Sequence, residues 1–202
     1  MRILCFAVIA LLFMSGACSA GSGQALLIDD FENPVSAGPD GTVDFGSGGG
    51  SSLEVKAGLD IKYSGNQSLE AVYDAAAGGY MWIARGFELD SRNAGWLVKP
   101  DRIKWKKYAA ISFYMYGNGS NSSIAFDIKD KGNELWRFMV TDDFKGWKKV
   151  VCPFKYFFCR GDWQPGSADK NSKLDFPLKS FQFEPKAVSK GTLYFDCVEL
   201  TR

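Results

Sequence analysis

The sequence predicts an all-β fold, a two-sheet antiparallel β-sandwich, and three observations lead to that class. Short runs of apolar or alternating residues, separated by Gly, Asn and Ser turns, follow one another along most of the 202 residues. Aromatic residues make up 15% of the chain, a high share that suits strands packed face to face. Amphipathic helical periodicity is nearly absent, and the one plausible helical turn falls around residues 154–159. Many short strands with frequent turns are typical of antiparallel sandwiches.

The first and last predicted strands have the same character. Residues 28–31 and residues 193–198 each place carboxylates inside an apolar run. We therefore expect these two segments to be neighbouring strands of one sheet.

Alternation of apolar and polar side chains locates the strands between these ends. A glycine- and serine-rich stretch, residues 34–52, is predicted to be a long flexible loop. The predicted intermediate strands cover residues 68–73, 81–87, 110–116, 124–129, 135–140, 147–154 and 181–184.

The N-terminus has the features of an export signal. Residues 3–14 form an uncharged apolar run after Arg2 that is too short to span a bilayer comfortably. We predict a signal peptide over residues 1–17, a tether over 18–25 and one domain over 26–202. Cys18 follows a segment that resembles a bacterial lipoprotein processing box and is the candidate for acylation. Cleavage after Ala17 or Ala20 without a lipid is the alternative, so the protein is expected to be exported, either as an outer-membrane or periplasmic lipoprotein or as a secreted protein.

Composition excludes several function classes. The chain has no His, which removes Ser-His-Asp and Cys-His nucleophile systems and imidazole metal sites. Lys and Arg total 24 against 23 acidic residues, so bulk charge does not favour a nucleic-acid partner. Carboxylates are available for glycoside hydrolysis, but nothing in the sequence marks one with a raised pKa, and an enzyme is not predicted.

Cys152 and Cys159 are close enough in sequence to close a small disulfide loop, or they stay thiols.

Six segments carry a family resemblance that spans nearly all of residues 26–200. They are residues 29–32 (DDFE), 64–69 (SGNQSL), 111–117 (ISFYMYG), 141–147 (TDDFKGW), 152–154 (CPF) and 194–196 (YFD). Together they resemble the galactose-binding-like jelly-roll carbohydrate-binding modules, and family 11 is the nearest type. The resemblance implies a β-sandwich, a structural calcium ion near the meeting termini and a sugar-binding groove on one sheet.

One polar face is the candidate for that groove. Flat rings that stack on sugar C–H faces, together with charged groups for hydroxyl pairs, are the mixture that sugar recognition needs. The alternative is an ordinary solvated sheet face with cross-strand ion pairs. The candidate residues, placed by alternation opposite the apolar register and expected to share one solvent-reachable surface, are Tyr114, Tyr116, Asp127, Lys129, Arg137 and Gln182.

Other aromatic residues are assigned differently. Trp82 lies in a predicted strand and is expected in the core. For Tyr80 and Trp96 the sequence leaves two assignments open, a cleft wall or the core. Trp136 is expected in the buried register of its strand, because it alternates with Arg137.

The calcium ligands that we expect are Asp30, Glu32 and Asp196, near the predicted meeting of the first and last strands. Calcium binds several oxygen ligands, and a cation there would offset the cost of burying a carboxylate. The alternative is that these acids simply point into solvent.

The predicted function is non-catalytic binding of a polysaccharide or oligosaccharide, of the β-glucan kind, at the bacterial cell envelope. We expect a monomer that binds no nucleic acid and reaches a membrane only through a lipid anchor. The alternative is an envelope structural or protein-interaction domain that does not bind sugar.

Overall fold

A computed structural model describes residues 25–202, so the predicted signal peptide, most of the tether and Cys18 lie outside the described residues. Strands and three 3-10 turns account for the regular structure of the described residues. The strands are β1 (Ala25–Asp29), β2 (Asp44–Gly48), β3 (Ser52–Gly58), β4 (Ser68–Ala75), β5 (Tyr80–Gly86), β6 (Ala110–Asn118), β7 (Ser123–Lys129), β8 (Leu135–Thr141), β9 (Lys145–Pro153), β10 (Phe158–Cys159), β11 (Ser180–Pro185) and β12 (Ser189–Thr201). The 3-10 turns are Pro100–Arg102, Trp105–Lys107 and Phe154–Tyr156. Within residues 25–202, no helix is long and apolar enough to cross a membrane.

The strands form two antiparallel six-stranded sheets, which confirms the predicted sandwich. The back sheet has the order β3-β4-β12-β6-β9, with β1 paired to β12. The front sheet has the order β10-β8-β7-β11-β5-β2. The expected pairing of the two ends is also confirmed, because Leu26 lies opposite Leu200 and Asp29 lies opposite Val198.

A bulge lets the last strand pair with three others. The register of β12 against β6 shifts between Asp196 and Glu199, and Cys197 inside the bulge has a φ of 44°. The first part of β12 therefore pairs with β4, and the part after the bulge pairs with β1. An extra residue bends a strand and increases its twist, which suits a strand that changes partners.

The core between the sheets is rich in phenylalanine. Phe183 of the front sheet stacks on Phe195 of the back sheet, with ring centroids 3.9 Å apart, and Phe113 lies 4.7 Å from Phe126. Trp136 is buried in the same core, as its strand alternation predicts. These inward residues leave the alternate positions of each strand for the two outer faces.

The prediction of a flexible loop over residues 34–52 is wrong. Residues 44–48 form β2, which pairs with β5 at the edge of the front sheet. Glycine content suggested disorder, but here the glycines lie in an edge strand against large neighbouring side chains. Cys152 and Cys159 carry free thiols, and burial raises the pKa of each.

Candidate functional site

A cleft of about 670 Å³ opens on the outer face of the front sheet. Its floor is formed by β5, β7 and β11, one wall by aromatic side chains of β5, and the other wall by the segment after β10. The lining residues that matter for the argument are Tyr80, Trp82, Lys129, Arg160, Trp163 and Glu184.

The strand register builds a polar row across the floor. Asp127 lies opposite Arg137 on β8 and opposite Gln182 on β11, and Gln182 lies opposite Ala84 on β5. Directly opposed residues of antiparallel strands point to the same face, so their side chains stand next to each other. Ala84 is in turn opposite Asp44 on β2, and the row therefore runs across five strands.

Asp127 is the centre of this row. Its carboxylate is fully buried and accepts hydrogen bonds from Arg137 Nε and Nη2, each at 2.8 Å. It also accepts from Arg160 Nη1 at 2.9 Å and from Gln182 Nε2 at 3.2 Å. Burial raises the pKa of Asp127, and the hydrogen bonds and positive charges of the two guanidinium groups oppose that rise. With four donors, Asp127 fixes the positions of both arginines.

The arginines carry the charge network towards the surface. Arg137 Nη2 donates to Glu184, which also accepts from Lys186 Nζ at 2.6 Å. Arg160 forms a two-point pair with Asp162, at 3.0 Å and 2.8 Å, and these hydrogen bonds lower the pKa of Asp162. Within this network three cations balance three anions, so the network offers many polar atoms without a net charge.

The first aromatic wall depends on two glycines. The rings of Tyr80 and Trp82 are nearly parallel, at 13° and with centroids 6.3 Å apart. A Cβ at Gly46 would come within 2.5 Å of the Trp82 ring, and one at Gly48 within 2.5 Å of the Tyr80 ring. The two rings therefore lie across the backbone of β2, and Trp82 Nε1 is held by Asp44 Oδ1 at 2.9 Å.

The second aromatic wall is Trp163, whose residue surface is 57% exposed. The Arg160 guanidinium carbon lies 5.9 Å from the centre of its ring. Gln164 supports this segment, because its side chain accepts from Leu135 N at 2.7 Å and donates to Leu135 O at 2.9 Å. Exposed rings on both sides of a polar floor can stack on apolar sugar faces while the floor binds hydroxyl groups.

The structure brings together four of the six predicted binding residues. Asp127, Lys129, Arg137 and Gln182 share the front face. Burial lowers the pKa of the Lys129 ammonium, whose Nζ donates to the Glu88 carbonyl. The expectation that Asp127 and Arg137 are reachable by solvent is wrong, because Asp127 is fully buried and Arg137 is only 6% exposed.

The two tyrosines lie elsewhere, so the expected single surface is wrong. Tyr114 and Tyr116 are on β6 of the back sheet, facing away from the core. The turn between β6 and β7 crosses from one sheet to the other, and alternation within a strand does not distinguish such a crossover from a hairpin. Tyr114 stacks on Tyr63 with centroids 3.5 Å apart, and burial raises its pKa.

Sequence reasoning missed several cleft residues. Trp82 is predicted to lie in the core but faces the cleft. Trp96, which the sequence assigns to neither a cleft wall nor the core, is buried. Arg160, Asp162 and Trp163 follow a two-residue strand, where no alternating pattern marks them. A useful signal was present in Gly46 and Gly48, whose spacing of two matches that of Tyr80 and Trp82 on the paired strand.

The predicted calcium ligands have other partners. Asp196 is fully buried and accepts from the backbone N–H groups of Tyr63, Ser64 and Cys197 at 2.9, 3.1 and 2.8 Å. Glu32 accepts from the backbone of Asn66.

These hydrogen bonds involve the carboxylate oxygens that are predicted to bind calcium. Each N–H directs a hydrogen towards the oxygen that a cation would need, and Asp30 accepts from Glu32 N at 3.2 Å. Among residues 25–202 no group of three His, Cys, Asp or Glu side chains converges as a metal site would require. In this arrangement Asp196 and Glu32 hold the loop before β4 through hydrogen bonds from backbone N–H groups.

Comparison with known proteins agrees with this architecture. The profile of the family described as carbohydrate binding domain (family 11) matches residues 17–202. The chain is 27% identical over 182 residues to endoglucanase H of Acetivibrio thermocellus; this match covers 86% of the chain but only 18% of that enzyme.

Two solved structures show the same fold. A family 11 module from Clostridium thermocellum, solved in complex with a β-1,3-1,4-mixed-linked tetrasaccharide, has a TM-score of 0.67 at 24% identity, covering 88% of this chain and 95% of that one. The family 11 module of the cellulosomal cellulase Lic26A-Cel5E of the same organism has a TM-score of 0.65 at 23% identity, covering 88% and 94%.

Proposed function

Because the chain belongs to the family 11 carbohydrate-binding domains, we propose that its front-sheet cleft binds a β-glucan chain. The observation that carries this proposal is the pair of aromatic walls on either side of the Asp127 network. Tyr80 and Trp82 alternate along β5 and offer ring surfaces to neighbouring sugars. Mixed-linked glucan is the first ligand to test, since the similar Clostridium thermocellum module was solved with such a tetrasaccharide.

The test is isothermal titration of the protein with mixed-linked β-glucan oligosaccharides. Trp163→Ala should weaken binding by about tenfold or more, because it removes one stacking surface. Tyr156→Ala is the matched control, because Tyr156 is an aromatic residue of similar exposure, 61%, that does not line the cleft. Equal affinities of the two variants, or no binding of any glucan by the wild type, would contradict the proposal.

We propose that binding is not followed by catalysis. Asp127, Asp162 and Glu184 are each paired with at least one cation. A glycosidase needs a protonated carboxyl group that reaches the scissile bond as general acid, but Asp127 is fully buried and the hydrogen bonds from Arg160 lower the pKa of Asp162. Reducing-sugar release from the same oligosaccharides would overturn this part of the proposal. The charged floor also disfavours the alternative of a protein-interaction domain, because an apolar, uncharged groove would suit a protein partner better.

We further propose export to the cell envelope or the medium, with Cys18 acylated, and a monomeric state. Support comes from the sequence alone: the apolar run at residues 3–14 and the small residues before Cys18. Mass spectrometry of the native N-terminus decides the matter, because a chain that begins at Ser19 or Gly21 carries no lipid on Cys18.

A structural calcium ion also stays a prediction, and an unchanged melting temperature after verified metal removal would exclude it.

A further inference from the structure

One end of the sandwich carries a strongly basic surface. It lies where β6 begins and β9 ends, and Asp101 is the one acidic residue in residues 99–108. The basic end, as we name it, consists of six exposed cations: Lys99, Arg102, Lys104, Lys106, Lys107 and Lys155.

These six cations have no anionic partner among residues 25–202. None of these six forms an ion pair with a carboxylate, in contrast to Lys149 and Arg92. Single lysines elsewhere, such as Lys145 and Lys190, are also unpaired, so what distinguishes the basic end is that five of its six cations fall within residues 99–107. Six cations against Asp101 give a local excess of five positive charges, although the whole chain has a net charge of only +1. The charge of the molecule is therefore distributed unevenly, and this end attracts anions.

An aromatic groove lies within the basic end. It has a volume of about 600 Å³ and is lined by Trp105, Tyr108, Phe154 and Phe176, with Lys106 and Lys155 also in the lining. Phe176 lies 5.3 Å from Trp105 and 5.1 Å from Phe154, measured between ring centroids. Aromatic rings beside lysines are the combination found at membrane interfaces, where the rings enter the headgroup layer and the ammonium groups stay near phosphates.

The described chain enters the domain at this end. Ala25 lies opposite Thr201, which lies opposite Ala110, and Ala110 lies opposite Pro153. Cys18 is seven residues before Ala25, a distance of at most about 25 Å for an extended chain. An acyl group on Cys18 would therefore hold the domain with the basic end close to the lipid.

We propose that the basic end docks on an anionic lipid surface. The lysines bind the phosphate groups, and the rings of the groove rest at the headgroup level. The cleft on the outer face of the front sheet shares no lining residue with the groove of the basic end, so that glycan and membrane are bound at different surfaces. This inference depends neither on the proposed glycan nor on acylation, although acylation would strengthen docking.

The experiment is vesicle flotation of the full chain carrying Cys18→Ser, which cannot be acylated at that position. Vesicles of phosphatidylcholine alone are compared with vesicles that also contain phosphatidylglycerol, so that any contribution of the apolar N-terminal segment is the same in both. We expect preferential binding to the anionic vesicles, weakened by added salt.

The test variant is Lys106→Glu with Lys107→Glu, which should weaken binding to the anionic vesicles by about tenfold or more. The matched control is Lys145→Glu with Lys190→Glu, which changes the net charge equally but at the opposite ends of β9 and β12. The control should bind nearly as well as the parent protein, and both variants should keep its melting temperature.

Three results would overturn the proposal. The first is equal binding to neutral and anionic vesicles, and the second is an equal loss in the test and control variants. The third is binding to a soluble polyanion such as heparin without binding to the vesicles. Glucan titration of the test variant keeps the two proposals separate, because failure of lipid docking leaves the cleft unchanged.

Discussion

The two outer faces of the sandwich contain similar residue types but differ in what those residues contact. On the back face the aromatic rings pack on one another: Tyr63 stacks on Tyr114, and Tyr116 lies 5.6 Å from Trp147 and 5.9 Å from Tyr194. On the front face the aromatic residues form two separate walls, with Tyr80 and Trp82 on one side of a charged floor and Trp163 on the other. Composition alone therefore does not make a binding site, since rings that stack on each other have less surface left for a ligand.

The largest expected effect is on stability, and it follows from removing the buried carboxylate at the centre of the front face. Asp127→Ala leaves two guanidinium groups without their shared partner and should reduce the free energy of unfolding by about 3 to 5 kcal/mol. Chemical unfolding measures the change. Asp162→Ala, at a largely exposed partner of the same arginines, is the control and should lower stability far less; equal losses would contradict the central role of Asp127.

The next effect is on glucan affinity, and it distinguishes the front face from the back face. Trp82→Ala should weaken glucan binding by about 2 kcal/mol, because a stacking surface is lost. Tyr116→Ala removes a ring of the back cluster and should lower stability while leaving affinity unchanged. Titration and thermal unfolding of both variants sharpen the comparison, and a loss of affinity in Tyr116→Ala would mean that the back face takes part in binding.

A smaller effect is expected where an added methyl group disturbs an aromatic wall. Gly46→Ala would place a Cβ 2.5 Å from the Trp82 ring and should displace it, weakening binding by about 1 kcal/mol. Gly161→Ala, in the opposite wall, is the control, because no atom lies within 4 Å of its added Cβ. Titration of the two variants against the same oligosaccharide tests this, and unchanged affinity in Gly46→Ala would show that the ring position is not needed.

A last effect concerns pH and lies outside both faces. Burial raises the pKa of Asp196 to about 7, well above the value of about 3.9 in an unfolded chain. The native state therefore binds a proton more tightly than the unfolded state, and this group's contribution to stability falls as pH rises from about 4 to about 7. Melting temperatures between pH 5 and pH 8 should fall more steeply in the wild type than in Asp196→Asn. Parallel curves would show that Asp196 does not titrate in this range.

The fold could be predicted from the sequence because alternation is a local property. Phe126 and Ile128 point inward and Asp127 points outward wherever β7 lies, so the core and the outer register follow directly. The same reasoning paired the first and last strands, whose similar composition reflects their shared sheet.

The site could be predicted only in part because it depends on how strands are ordered. Asp127 and Gln182 meet because β7 and β11 are neighbours in space. The 54 residues between them in the chain contain no pattern or motif that predicts this pairing. Tyr114 was misplaced because nothing in the turn after β6 marks a change of sheet. Trp163 belongs to an irregular segment, where side-chain direction follows from contacts such as those of Gln164 rather than from periodicity.

The central claim is that the glycan occupies the front cleft, and the most direct test is to follow backbone amide resonances during titration with a mixed-linked tetrasaccharide. We expect the largest shifts on β5 and β11 and around Trp163, with little change around Tyr63 and Trp147. Shifts concentrated around Tyr63, Tyr114 and Trp147 would place the ligand on the back sheet and contradict the account.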